Sequence, residues 1–206
     1  MNRRTSNLRM SLRARPVVAA AAVASALLLA GCGQDDPTIG GSAADQGTEA
    51  RFNEADVTFV AGMRPHHEQA VEMADLVLAA DPPAEVAALA ERIKADQQPE
   101  IEQLDAMLET FGEKPAGGHG GHGGGDKAEH EGMMSEQEMA SLRQATGPAA
   151  ARLFLELMIV HHEGAISASE TELREGQHEP ALELARKIRA SQQTEIEQMR
   201  ALLTQL

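Results

Sequence analysis

The chain has 206 residues, with 18 Lys and Arg against 32 Asp and Glu, a net charge of −14, one Cys, no Trp, no Tyr and four Phe. So acidic a chain repels phosphate backbones and offers almost no rings on which bases could stack, which argues against nucleic-acid binding. Its wealth of Ala, Leu, Glu, Gln, Met and Arg, residues that lose little on entering a helix, argues against β architecture and for an all-α protein.

Residues 1–31 carry Arg3, Arg4, Arg9, Arg13 and Arg15 ahead of an apolar run from Val17 to Ala30 that is short for a membrane span, and they read as a secretory signal. The run ends in Leu29-Ala30-Gly31-Cys32, which resembles the bacterial lipobox; Cys32 is then the lipidated first residue of the mature chain. Loss of five Arg and no acids leaves a mature charge of −19. With one Cys no internal disulfide can form, so stability in an exported setting has to come from packing, ligand or metal. Residues 32–51 are a Gly-, Ser- and Asp-containing stretch without apolar periodicity, read as a flexible tether.

Beyond the tether the chain repeats itself. Residues 59–108 align without a gap on 154–203, an offset of 95, with 19 identities in 50 positions. The identities fall in two blocks, FVAGMRPHHEQA with FLELMIVHHEGA and AERIKADQQPEIEQLDAML with ARKIRASQQTEIEQMRALL, so each repeat is two helices. Pro82-Pro83 and Pro180 mark helix starts, and Gly112 and Gly176 mark stops. The pattern predicts helices near 52–80, 83–111, 148–175 and 179–205. A short helix near 135–146 opens with the capping box Ser135-x-x-Glu138. A single amphipathic hairpin cannot cover its own apolar stripe. Repeat 1 (52–111) and repeat 2 with the short helix (135–206) are therefore expected to pack as one four-helix bundle, joined by a Gly/His-rich linker at 112–134.

The inward stripe of the first helix runs through Phe59, Met63, His66 or His67, Ala70, Met73 or Ala74, and Val77. Consecutive residues lie about 100° apart, so one His of the pair is expected to face inward and the other to sit at the flank. Met158, His161 and His162 repeat the arrangement. Met63 and Met158 taken singly fit core packing. Four imidazoles at equivalent core positions are harder to explain as filler, because a desolvated imidazole costs stability unless paired. Thioether with imidazole suits Cu(I), Ag(I) or Cu(II); Ca²⁺ and Mg²⁺ want oxygen, and zinc makes less use of Met. Glu68 and Glu163 follow the His pairs in the wrong order for a di-iron carboxylate site.

On the second helix the stripe is Ile93, Gln97, Ile101, Leu104 and Leu108, with Glu100 one turn beyond Gln97; Gln192 and Glu195 are the counterparts. A buried amide needs a partner, and these four residues are expected to orient the imidazoles by hydrogen bonding. Pro65 is expected either to bend the first helix beside His66 or to mark a helix start near Arg64. His119, His122, His130, Met133 and Met134 in the linker are an auxiliary set of candidate ligands in a segment that reads equally as a plain spacer. Met107, Met139 and Met199 read as core.

The strings Met63-x-Pro65-His66-His67-x-x-Ala70-x-x-Met73-Ala74, Gln97-x-x-Glu100-Ile101, Gly147 through Phe154, Met158, His161-His162 to Ala165, and Gln192-x-x-Glu195-Ile196 resemble the domain-of-unknown-function 305 family across about 52–206. The resemblance implies an exported, ferritin-like four-helix bundle linked to copper or silver. It carries Met63, His66, His67, Met73, Met158, His161 and His162 over as the matching metal positions. Repeat 2 has Ala168 where repeat 1 has Met73, against a symmetric pair of Met73-type ligands.

The expectation is a lipid-anchored protein facing the periplasm or cell exterior that binds copper, as Cu(I), through Met and His, and buffers it or hands it to an exchange partner. Silver and zinc are the alternative metals. No Ser-His-Asp order, phosphate loop or free Cys nucleophile implies catalysis. Two other readings are a ferritin-like metal oxidoreductase using Glu68, Glu72 and Glu163 with the His pairs, and an envelope interaction module, homo-oligomeric or not, with structural histidines.

Overall fold

The computed structural model describes residues 51–113 and 131–206. The expected signal peptide, most of the tether, Cys32, and linker residues His119, His122 and His130 lie outside the described residues. Five helices make up the described chain: α1 (Glu54–Ala79), α2 (Ala84–Phe111), α3 (Glu136–Gln144), α4 (Gly147–Glu175) and α5 (Glu179–Leu203). None of them is long and apolar enough to cross a membrane.

Local chemistry sets their ends. Asn53 caps α1 and forms a reciprocal capping box with Asp56, and Ser135 does the same for α3 with Glu138. α2 stops at Gly112, whose φ of 77° lies in the left-handed region, and Glu113 N then donates to Leu108 O at 2.9 Å. Pro148 and Pro180 sit in the first turns of α4 and α5, where a missing N–H costs nothing. Helix α1 runs through Pro65 without a break, so the helix start expected near Arg64 is not used. Packing of the Phe59–Val77 stripe on both sides of the proline keeps the helix continuous. α2 likewise contains Pro99.

α1 pairs with α2, α4 pairs with α5, and the two hairpins meet mainly along α1 and α4. α1 and α4 are antiparallel: Asn53 Nδ2 donates to Glu175 O at 2.7 Å at one end, and Gly147 N donates to Ala80 O at 2.6 Å at the other. The core is split in two. One apolar cluster holds Met73, Leu89, Ile93, Phe154, Met158 and Met199, and is roofed by Met139 and Leu142 of α3. The other holds Phe59, Met63, Leu104, Phe111, Leu184 and Ile188. Met107, Met139 and Met199 are buried, as the sequence predicts. Ile101, expected in the α2 stripe, is only half-buried, while Glu100 is buried to 2 % exposure. The reason is a partner on α1 that an apolar side chain could not serve.

α3 and the segment before it lie across the α1–α4 seam. Gln69 clasps Met134 on both sides, its Nε2 donating to Met134 O at 2.9 Å and its Oε1 accepting from Met134 N at 2.7 Å. On the opposite wall the backbone of Glu131 and Gly132 rides directly over Gly164, where a Cβ would stand 1.9 Å from Glu131 O. Gln69 and Gly164 are 95 positions apart, so the strap uses a long side chain from one repeat and a missing side chain from the other. Gly164→Ala is expected to push the strap off and cost roughly 1–3 kcal/mol, read as a lower urea midpoint at unchanged slope. A midpoint equal to wild type would show that the strap contributes nothing to stability.

Candidate metal centre

Between the two apolar clusters lies a polar layer built by both repeats. Both histidines of each pair are buried: His66 is 3 % exposed, and His67, His161 and His162 are fully covered. This corrects the expectation of one inward and one flanking residue. The two directions 100° apart on α1 both meet protein, because α1 packs against α4 on one side and α2 on the other, and α4 is likewise flanked. His66 and His161 point at the α1–α4 seam and stack on each other, ring centroids 3.7 Å apart and planes tilted by 38°. His67 and His162 point at their own hairpin partners. His67 Nε2 lies 2.7 Å from Glu100 Oε2 and His162 Nε2 lies 2.6 Å from Glu195 Oε2.

A carboxylate accepts, so each of these imidazoles donates from Nε2; neither Nδ1 has a hydrogen-bond partner. Both ring nitrogens of His161 also lack one. Burial, followed by repulsion from His66, His162 and His67, outweighs a polar contact with the His66 backbone and holds the His161 pKa well below the usual histidine range, so it is neutral near pH 7. Gln97 and Gln192, expected to serve the imidazoles, are buried to 2 % exposure, but their amides make no hydrogen bond; the glutamates one turn on take that role. A buried amide without a partner is costly, and here two flank a layer of buried imidazoles.

Met63 and Met158 are both buried, at 2 % and 0 % exposure, each one turn before its histidines. Because α1 and α4 are antiparallel, the two thioethers fall in different apolar clusters, one on either side of the stacked rings. Met73 is fully buried among Ala70, Ala74 and Phe154 in the α3-roofed cluster. Met134 joins that cluster at 7 % exposure, and Met133 is half-buried in the strap. Glu68, Glu72 and Glu163, the carboxylates of the oxidoreductase reading, face outward and pair with Arg64, Arg143 and Arg200. Among the described residues no three His, Cys, Asp or Glu side chains are grouped to hold a metal ion by themselves.

A second buried polar group escaped the sequence reading. Asp56, fully buried near the start of α1, accepts from Asn53 N at 2.6 Å, His178 N at 2.8 Å and Gln177 N at 3.0 Å, tying α1 to the start of α5. Burial alone would raise its pKa, but the N–H groups of His178, Asn53 and Gln177 and the Glu172 side chain more than offset this and lower it. Glu172, 1 % exposed, is pushed up to about 8 by burial first and then by Asp56, so at neutral pH this pair holds one proton. Asn53-x-x-Asp56 was a legible capping box; nothing local marked Glu172, which is 116 residues away.

From Glu54 and Glu175 to His66, an open groove of about 440 Å³ runs along the α1–α4 seam, with Met63 and His66 at its inner end.

No relative was found among curated protein sequences. Solved structures are informative. The chain superposes on a DUF305 fragment from Deinococcus radiodurans with a TM-score of 0.66 at 34 % identity, covering 75 % of this chain and 98 % of that one. A DUF305 protein from Streptomyces coelicolor gives 0.67 at 27 % identity, covering 73 % and 93 %. CopM in its Cu(I)-bound form gives 0.60 at 25 % identity, covering 73 % and 96 %; CopM has also been solved with Cu(II) and with silver. Residues 56–203 match the family described as Domain of unknown function (DUF305), and with those residues spanning most of its length the chain belongs to that family.

Proposed function

We propose that this protein binds a soft metal ion, copper as Cu(I) first and silver second, in the layer formed by His66, His67, His161 and His162 with Met63 and Met158, and buffers it or passes it on. The observation that carries this reading is the His66–His161 stack: two imidazoles from equivalent repeat positions meet in the core at 3.7 Å, and neither ring nitrogen of His161 has a side-chain hydrogen-bond partner. Neutral imidazole is the ligating form, and burial keeps that of His161 neutral. Binding would repay part of the cost of burying these groups, since metal coordination uses the lone pairs that the protein leaves idle.

The likeness to CopM, a protein solved with Cu(I), Cu(II) and silver, supports the same metal class. Met73 is a further candidate donor, although it packs one turn beyond Ala70 in the apolar cluster. His119, His122 and His130 would act as a loose auxiliary collector, with half-buried Met133 near them in sequence; Met134 would have to leave its place in the α3-roofed cluster to join them. The lipobox-like Leu29-Ala30-Gly31-Cys32 supports an exported, lipid-anchored setting, where copper tolerance or hand-over would be the use of such a site. No residue set in the described chain supports catalysis better than ligation.

A Cu(I) competition titration tests this against His66→Ala/His161→Ala and a deletion of 114–130. The expected result is tight binding to wild type, loss of binding in the double variant, and little change on deletion. Retention by the double variant with loss on deletion would move the metal chemistry out of the bundle and into the linker.

A further inference from the structure

The two ends of the α1–α4 seam ought to be alike if the repeats were alike, and they are not. Over one end, α3 covers the half of α1 after Gln69 and the half of α4 before Val160, and the strap before it crosses α4 over Val160, His161 and Gly164, with Glu131 at the edge of the open part. The other end is the open groove. Positions 95 apart explain the difference. At the covered end the seam is walled by Met73, Leu76, Val77, Leu153 and Leu157; their counterparts along the open groove are Ala168, Thr171, Glu172, Thr58 and Gly62. Every one of these five is smaller or more polar than its partner. The same seam is therefore packed with large apolar side chains at one end and cut back at the other, over a length that ends on Met63 and His66.

We infer that this groove is the access route by which a soft cation, still carrying water or small labile ligands, reaches the histidine layer, and that the Met63–His66 half of the layer is loaded first. The inference rests on the metal-binding reading above and adds direction to it. Charge supports the occupant: Glu54, Glu131 and Glu175 stand along the groove on a strongly acidic chain, which concentrates cations and repels anions and acidic peptides. Volume supports it too, since about 440 Å³ admits an ion with its ligands but is more than an ion alone needs. Met158 and His161, the equivalent half, sit beneath the strap, where Gly132 lies against the backbone of Val160 and His161. An ion reaching them has to pass His66 first.

The test restores the bulk that repeat 1 and α4 carry at the covered end. In the full chain, Thr58→Leu/Thr171→Leu fills the groove without touching a proposed ligand, and Thr171→Leu alone serves if the double variant folds poorly. Ag(I), which does not change oxidation state under these conditions, is the probe; uptake and release are followed by stopped flow and affinity by competition. Because a path alters rates and not the end state, on- and off-rates are expected to fall together by about tenfold or more at an affinity within about threefold of wild type. Glu54→Gln/Glu175→Gln is expected to slow uptake at low ionic strength and to flatten its salt dependence. Wild-type rates in the filled variant at unchanged affinity would overturn the route and leave the histidine site standing. No silver binding by the wild-type chain would overturn the site and the route with it.

Discussion

Stability is expected to fall by up to about 4 kcal/mol as pH rises from 4.5 to 8, and Glu172→Gln is expected to remove most of that fall. The sign follows from Glu172, whose carboxyl is pushed up to about 8 by burial and by Asp56. In the unfolded chain the same group loses its proton near its model value of 4.5. Between these two values the folded state holds a proton that the unfolded state has released, so raising the pH favours unfolding until the folded carboxyl also ionises. Asp56 acts in the opposite sense: its pKa is lowered, so its contribution is present above the ordinary aspartate range and fades as pH drops through the folded value. Of this pair, Glu172 therefore favours mildly acidic pH, and Asp56 sets the side on which that gain is lost as pH falls further. A chain this acidic also repels itself more as pH rises, which is why the substitution matters. Glutamine keeps a donor toward Asp56 and cannot ionise, so urea denaturation of both chains at pH 5 and pH 8.5 separates the local effect from the global one. Equal slopes with pH in wild type and variant would mean that Glu172 ionises as it does in the unfolded chain.

Much of the fold was legible because it is written twice. The 95-residue offset located four helices within a few residues of where they lie, and the prolines and Gly112 marked their ends by local backbone chemistry. Periodicity also placed His66, His67, His161 and His162 on buried stripes. It misjudged how many face inward, because a stripe width is a property of the neighbours, and the number of helices flanking α1 is decided by tertiary packing. For the same reason Glu100 and Glu195 turned out to be the histidine partners while Gln97 and Gln192 have none. All four were candidates by spacing, and only the hairpin's distance of closest approach selects between them. The Gln69–Met134 clasp, the close passage over Gly164 and the Asp56–Glu172 pair involve residues 65, 33 and 116 positions apart, beyond anything local pattern reports.

The internal asymmetry of the site gives its most discriminating prediction. Glu195→Gln is expected to weaken Cu(I) binding by about 10- to 100-fold, and Glu100→Gln to weaken it less. Each glutamate fixes its histidine as the Nε2–H tautomer, which aims the Nδ1 lone pair away from the carboxylate and makes it a stronger donor. A glutamine can still accept that hydrogen bond through its carbonyl oxygen, so the ring stays in place; what is lost is the negative charge that raises imidazole basicity. That charge is not equally available in the two repeats. Glu100 Oε1 lies 3.3 Å from Lys187 Nζ, which already draws on it, whereas Arg92, 95 positions before Lys187, reaches to Gln198 Oε1 at 2.8 Å and leaves Glu195 to His162. Both variants should fold, because the substitution conserves shape; equal helicity by circular dichroism checks this. Competition titration then gives the order. Affinities within twofold of wild type for both variants would exclude His67 and His162 from the coordination sphere and confine the metal to Met63, Met158 and the His66–His161 pair. A larger loss in Glu100→Gln than in Glu195→Gln would show that Lys187 strengthens the Glu100 contact instead of competing with it.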